Sequence, residues 1–269
     1  MLRVPRRVVL AALILLPVLP RAAHATWSII VLDRQRRWIG VAGASCTPDV
    51  YGIMSLRPGH GVLIAQAIGY DAAIQRGNQL LADSVSADAV LRAITAPALD
   101  STNRYRQYAV ATFVGGLAQF TGDSTAPHHG ARRAVDVLVQ GNSLASPAVL
   151  DRVVRAIEAA RAAGRPLYDV LMAGLAAGSE AGGDVRCGTQ RATSAFLVVA
   201  RPGERPFLPY LTLSVFGAER GTVNAVDVLA SRLARWTTSG GPRNVITQEG
   251  VQPPGRATAG KRARSEPPR

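Results

Sequence analysis

The sequence predicts a layered α+β domain, and three observations predict it. Short β-branched and apolar runs occur as hairpin-like pairs, amphipathic stretches of helical length occur in groups between them, and no regular strand–helix alternation of the βαβ kind appears. The order is strands, helices, strands, helices, strands and a last helix.

Each element follows from its residues. Trp27 to Leu32 alternates and is β-branched, Asp33 to Arg37 is a polar turn, and Trp38 to Ala44 is a second strand, which makes an N-terminal hairpin. Gly61 to Ile68 reads as a largely buried third strand. Ala72 to Ala82 and Ala87 to Thr95 read as helices, the second with Ser86 as its N-cap. Gln107 to Val114 and Leu117 to Thr121 form a hairpin around Gly115 and Gly116. After Gln140, Gly141 and Asn142, a capping Ser146 followed by Pro147 starts a helix whose residues Val149, Leu150, Val153, Val154 and Ile157 share a face. Leu167 to Ala177 is the next helix, ending in the glycines Gly178, Gly182 and Gly183. Thr193 to Ala200 and Tyr210 to Val215 are strands, and Val223 to Trp236 is a final amphipathic helix.

The ends read differently from this body. Arg3, Arg6 and Arg7 precede an apolar run from Val8 to Pro20, and Ala23 and Ala25 are small residues at the spacing of a cleavage site. At about 13 residues the run falls short of the roughly 20 that span a bilayer as a helix, so residues 1–25 read as a secretory signal peptide rather than an uncleaved anchor. The expected product is a secreted or periplasmic protein of 244 residues beginning at Thr26. The leader carries four arginines and no acid, so the net charge of +13 falls to +9. Residues 238–269 hold six basic and two acidic residues, which leaves about +5 on the domain at 26–237. Rich in Gly, Pro, Arg and Thr, that tail reads as disordered, and its basic charge suits an anionic envelope polymer or membrane surface. The charge is dispersed and lacks an aromatic–basic module, which argues against nucleic acid. No dinucleotide fingerprint, phosphate loop, HExxH or GxSxG occurs, so cofactor chemistry gains no support, and the histidines share no ligand spacing with a cysteine that would indicate a metal.

Cys46 and Cys187 read most simply as a disulfide in an exported chain, with two free thiols or a metal site as the alternatives. Thr26 carries the sharpest functional reading. A threonine made N-terminal by cleavage has its own α-amine as base for its own hydroxyl, and that amine's ordinary pKa, near 7.7–8.0, leaves a useful neutral fraction at pH 7.

The run Thr26-Trp-Ser-Ile-Ile-Val, then Gly40-Val-Ala-Gly-Ala-Ser45, resembles the opening of a bacterial and archaeal family known as domain of unknown function 1028, placed among N-terminal nucleophile (Ntn) hydrolase-like proteins. Ile64-Ala-Gln-Ala67, Phe120-Thr-Gly122, Val139-Gln-Gly-Asn142, Ala181-Gly-Gly-Asp184 with Arg186, and Ser194-Ala-Phe-Leu continue the likeness in order over about residues 26–215. Two positions depart from the family pattern: Cys187 and extra residues stand before Ser194, and Phe120 stands where His is more usual. The resemblance implies a four-layer αββα sandwich, two antiparallel sheets flanked by helices, and an amidohydrolase activity, with cell-wall substrates hinted at by relatives that carry peptidoglycan-binding domains.

The candidate catalytic residues are then Thr26 as nucleophile, Asn142 as oxyanion donor with the backbone of Gly141, Ser45 beside Thr26 across the first hairpin, and Asp184 to orient the ammonium form or a substrate amine. Arg186 is the candidate for a substrate carboxylate, and Gln66 and Gly141 are candidate substrate contacts. Bland roles stand beside these: Asn142 and Asp184 as turn formers, Ser45 and Gln66 as partners of backbone groups. Three function classes follow: a threonine amidohydrolase acting on a small amide or peptide, a non-catalytic ligand-binding protein on the same fold, and a structural or homo-oligomeric envelope component.

Overall fold

The computed structural model describes residues 26–241 and the backbone of residues 246–247. The expected leader at 1–25 and the rest of the expected tail lie outside the described residues.

The chain starts with the antiparallel hairpin β1 (Thr26–Asp33) and β2 (Trp38–Ser45), followed by β3 (Met54–Arg57) and β4 (Gly61–Ala67). Helices α1 (Asp71–Ala82) and α2 (Ala87–Ile94) lead to β5 (Arg106–Thr112) and β6 (Gly116–Thr121), then to β7 (Gly130–Ala134) and β8 (Val137–Asn142). A second group, α3 (Ala148–Ala162) and α4 (Leu167–Glu180), precedes β9 (Ser194–Ala200), β10 (Leu211–Val215), α5 (Ala225–Thr238) and the two-residue β11 (Ile246–Thr247). Among the described residues these strands form two sheets, one ordered β11-β10-β9-β2-β1-β8-β7 and one ordered β3-β4-β5-β6. All pairings are antiparallel except β10 with β11. The protein is thus a mixed α+β fold with two antiparallel sheets. Ile246 and Thr247, from the stretch expected to be disordered, add that last edge strand.

The side-chain alternation of a strand explains the packing. On β1, Trp27, Ile29 and Val31 point to a core shared with Val153 and Ile157 of α3, Leu171 and Leu175 of α4, and Leu229 of α5. Ile30 and Leu32, on the other face, join Val41, Leu138 and Val198 in a core shared with Val62, Ile64, Ala109 and Ala111 of the smaller sheet. A third core holds Leu63, Tyr108 and Val110 against Leu81 of α1 and Val90 and Ile94 of α2. The central strands are therefore buried on both faces, which is why they read as nearly continuous apolar runs.

Three local expectations change. Helix α4 does not stop before Gly178 but runs through it to Glu180; a Cβ at Gly178 would lie 2.5 Å from Trp27 Nε1, so that glycine makes room for tryptophan rather than ending a helix. Neither Ser86 nor Ser146 provides a side-chain cap, and the final helix starts at Ala225 with the Asn224 side chain accepting from Val226 N–H. Strands β3, β7 and β8 lie in stretches that gave no strand signal.

The connection from α2 to β5 is held by a buried ion pair. Arg106 Nε donates to Asp100 Oδ2 at 2.8 Å, and its other nitrogens donate to Ile68 O and Thr102 Oγ1. Burial alone would raise the Asp100 carboxyl, but hydrogen bonds from Arg106 and Thr102 outweigh it and hold the group below its ordinary value. A lowered carboxyl contributes stability that is present above its unfolded-state pKa and is lost as pH falls through the folded-state value. Asp100→Ala, which strands the buried guanidinium, should lower unfolding free energy by about 3–5 kcal/mol near neutral pH, read by urea denaturation, and the deficit should shrink in acid.

Candidate functional site

The register of the larger sheet lines up four hydroxyl and amide side chains across one end of the inter-sheet face. Thr26 is the partner of Asn142 on one side and of Ser45 on the other, and Ser45 is the partner of Ser194. Ser28 and Gln140 form the next polar pair inward, and one step further Ile30 and Leu138 are apolar. The smaller sheet presents a matching row, Gln66, Gln107 and Thr121, in register with one another. Two apolar sheets thus face each other with polar side chains gathered where β1 begins.

Hydrogen bonds join the two rows. Thr26 Oγ1 donates to Ser45 Oγ at 3.3 Å, and Thr47 Oγ1 donates to the same oxygen at 3.1 Å. Ser28 Oγ donates to Gln66 Oε1 at 2.6 Å, while Gln66 Nε2 donates to Gln107 Oε1 at 2.7 Å and toward Thr26 O at 3.4 Å. Asn142 Nδ2 donates to the same Gln107 oxygen at 3.1 Å, and Gln107 Nε2 reaches Thr121 Oγ1, Gly130 O and Gly141 O. Thr26 is 2 % exposed, and Ser45, Gln107, Gln140, Asn142 and Ser194 are fully buried. Buried polar atoms are normally paired. Here Asn142 Oδ1, Ser194 Oγ and both amide atoms of Gln140 have no protein partner.

Gly141 keeps this end tight. A Cβ on it would stand 3.0 Å from the Thr26 carbonyl oxygen and 2.9 Å from Leu144. Asn142 is the last residue of β8 rather than part of a turn.

Asp184 and Arg186 lie just beyond, where Gly183 at φ +54° turns the chain out of α4. The fully buried Asp184 carboxylate accepts from Cys46 N–H at 2.7 Å, from Arg186 N–H at 3.0 Å, and from Arg186 Nε and Nη2. Aspartate and arginine, expected to serve a substrate's amine and carboxylate, are bound to each other. The carboxylate also holds the residue that follows Ser45. Cys46 and Cys187 form a disulfide with a Cα–Cα distance of 5.6 Å, which ties the same segment down a second time.

The structure brings the candidates Thr26, Ser45, Asn142, Gln66 and Gly141 together at one end of the inter-sheet face. Gln107, Gln140, Ser28, Thr121 and Ser194 were missed. Phe120 points away from the site and stacks on Tyr108 under the α1–α2 layer. Among the described residues no group of three His, Cys, Asp or Glu side chains gathers as a metal site. A cavity of about 870 Å³ opens elsewhere, at the opposite end of β1, between Arg34, Arg161, Tyr168 and Tyr210.

A family described as "Family of unknown function (DUF1028)" matches residues 26–223. The crystal structure of protein SPO2555 from Silicibacter pomeroyi, assigned to that same family, is similar with a TM-score of 0.65 and 24% identity, over 79% of this chain and 89% of that chain. No curated protein matches the chain.

Proposed function

Since the chain belongs to the DUF1028 family, whose matched span opens on Thr26, we propose that it is an exported amidohydrolase with Thr26 as an N-terminal nucleophile acting on a small amide or peptide. The observation that carries this reading is the cross-strand polar row: the residue that cleavage would free is the one flanked in register by Asn142 and Ser45. We read the two facing sheets and their outer helices as a four-layer αββα sandwich of the Ntn-hydrolase kind. A disulfide in the body supports an oxidising compartment and so export.

Before cleavage the Thr26 nitrogen is a peptide nitrogen and cannot act as a base. Cleavage after Ala25 supplies the amine. The Thr26 hydroxyl then attacks the amide carbonyl, its proton passes to the α-amine, and the carbonyl oxygen takes up negative charge. Asn142 Nδ2 spends one hydrogen on Gln107 and keeps a second for that oxyanion. The amine returns the proton to the leaving nitrogen, and water releases the acyl group from Thr26 Oγ1. Ser45 orients the nucleophile, and Asp184, through Cys46 N–H, positions Ser45.

A non-catalytic ligand-binding reading draws on the unpartnered Gln140 amide, which suits a bound neutral polar group. Covalent labelling separates the two. A serine- and threonine-directed electrophile should add once, at Thr26, in a chain whose intact mass corresponds to a start at that residue. A mature start elsewhere, or labelling spread over other hydroxyls, removes the nucleophile.

A further inference from the structure

The two ends of the sheets differ in charge and in exposed apolar surface. At the end opposite Thr26, the connections at 33–37, 57–61, 82–87, 112–116, 134–137, 161–168 and 200–210 carry eight arginines against four acids. At the Thr26 end, the connections at 46–53, 68–71, 95–106, 122–130, 180–193 and 216–224 carry five arginines against seven acids. The domain's positive charge is thus concentrated away from the candidate site.

The same basic end carries most of the exposed large apolar side chains. Val114 is 69% exposed, Val135 78% and Phe207 67%, with Leu208 beside it. All four sit at loop tips, where they contribute nothing to a core. Contacts knit these loops into one surface. Arg34 pairs with Asp136, next to Val135, and donates to Phe113 O, next to Val114. Arg37 stacks 4.7 Å from the Phe113 ring and donates to Gly59 O, and Gly59 packs on Pro202, at the base of the Phe207 loop. The 870 Å³ cavity opens on this end, and four of the arginines line it.

We infer that this end of the domain is a docking surface for an anionic phospholipid bilayer. Apolar tips projecting from a cationic face are the pattern of peripheral membrane binding, in which side chains enter the interface while arginines meet the headgroup charge. An anionic polysaccharide would satisfy the arginines but leave Val114, Val135 and Phe207 in water, so the tips favour lipid. Docked this way, β1 stands off the membrane by its own length, roughly 23 Å for eight residues, and the Thr26 end faces away from the bilayer.

The test is sedimentation of the full chain with vesicles of phosphatidylglycerol and phosphatidylcholine against phosphatidylcholine alone. Val135→Ser with Phe207→Ser leaves the charge untouched and should lower partitioning onto anionic vesicles about tenfold or more. Arg36→Gln with Arg205→Gln should lower it about tenfold at low salt, an effect that fades toward 1 M salt, where the Debye length is about 3 Å. Val223→Ser, an equally conservative change at the Thr26 end, should bind as the original chain does. Equal binding by the chain and both double variants overturns the proposal, because the leader or tail is then the binding element. A loss only in the arginine variant, matched on a soluble anionic polymer, overturns it in favour of a polymer surface. Release by inorganic phosphate but not by chloride of the same ionic strength overturns it in favour of a small-anion site.

Discussion

If Thr26 is the nucleophile proposed above, Thr26→Ala in a chain cut after Ala25 should lower kcat/KM for amide hydrolysis by at least about 10³-fold while leaving the fold in place. The factor corresponds to about 4 kcal/mol of transition-state stabilisation, the scale on which removal of a nucleophile is felt. The structural cost is small by comparison. Thr26 Oγ1 makes one long hydrogen bond, to Ser45 Oγ, and Ser45 keeps its contact with Thr47 when that bond is lost. A hydrogen bond of this kind contributes about 1 kcal/mol at most. Thermal unfolding should therefore barely move while turnover collapses. Thr26→Ser should restore most of the rate, since it returns the hydroxyl on the same backbone. Ser45→Ala should fall between the two, because it alters the hydroxyl's orientation and leaves the nucleophile. Activity should rise as pH rises through the pKa of the freed amine, the neutral amine being the base. Unchanged hydrolysis in Thr26→Ala would sink the assignment, and substrate binding without turnover in the original chain would move the protein to the ligand-binding class.

What the sequence discloses of this site, and what it hides, follows from the physics of sheets. The first hairpin is visible because Trp27 to Leu32 and Trp38 to Ala44 flank a polar turn, and its pairing puts Ser45 opposite Thr26 without further information. Strand β8 is obscured by its end: Gln140, Gly141 and Asn142 break an apolar run and read as loop, yet all three are in register with β1. Strand β7, with Arg132 and Arg133 facing water at the sheet edge, has no apolar alternation to show. The missed site residues share a different cause. Gln107 meets Gln66 and Asn142 from positions 41 and 35 residues away, and register over such spans is fixed by the whole core, not by local preference. One signal is present. Gln66 and Gln107 each lie one residue in from a strand end, and Ser45 and Ser194 occupy strand ends outright. Antiparallel order brings those ends to the same place. A search for lone polar residues at the ends of buried strands would have found the second row as well as the first.

Removal of the disulfide by Cys46→Ser with Cys187→Ser should lower unfolding free energy by about 3–5 kcal/mol, a large share of the 5–15 kcal/mol typical of a folded domain. The loop it closes spans a sequence separation of 141 residues, so in the chain-entropy model the cross-link removes much of the unfolded state's freedom. Measured in urea, the midpoint should drop by about 1–2 M and the slope should steepen, because the unfolded chain without the cross-link is more expanded and exposes more surface. The site should suffer less than the fold. Cys46 N–H remains bound to Asp184, and Asp184 keeps both contacts from the Arg186 guanidinium, so the segment after Ser45 retains its anchor without the sulfur bridge. Turnover at low temperature should then stay within a few-fold of the original chain, and the loss should appear only as the variant begins to unfold. The opposite pattern, an unmoved midpoint with lost turnover, would mean that the bridge acts on the native site rather than on the unfolded chain, and that Asp184 alone does not hold Ser45 beside Thr26.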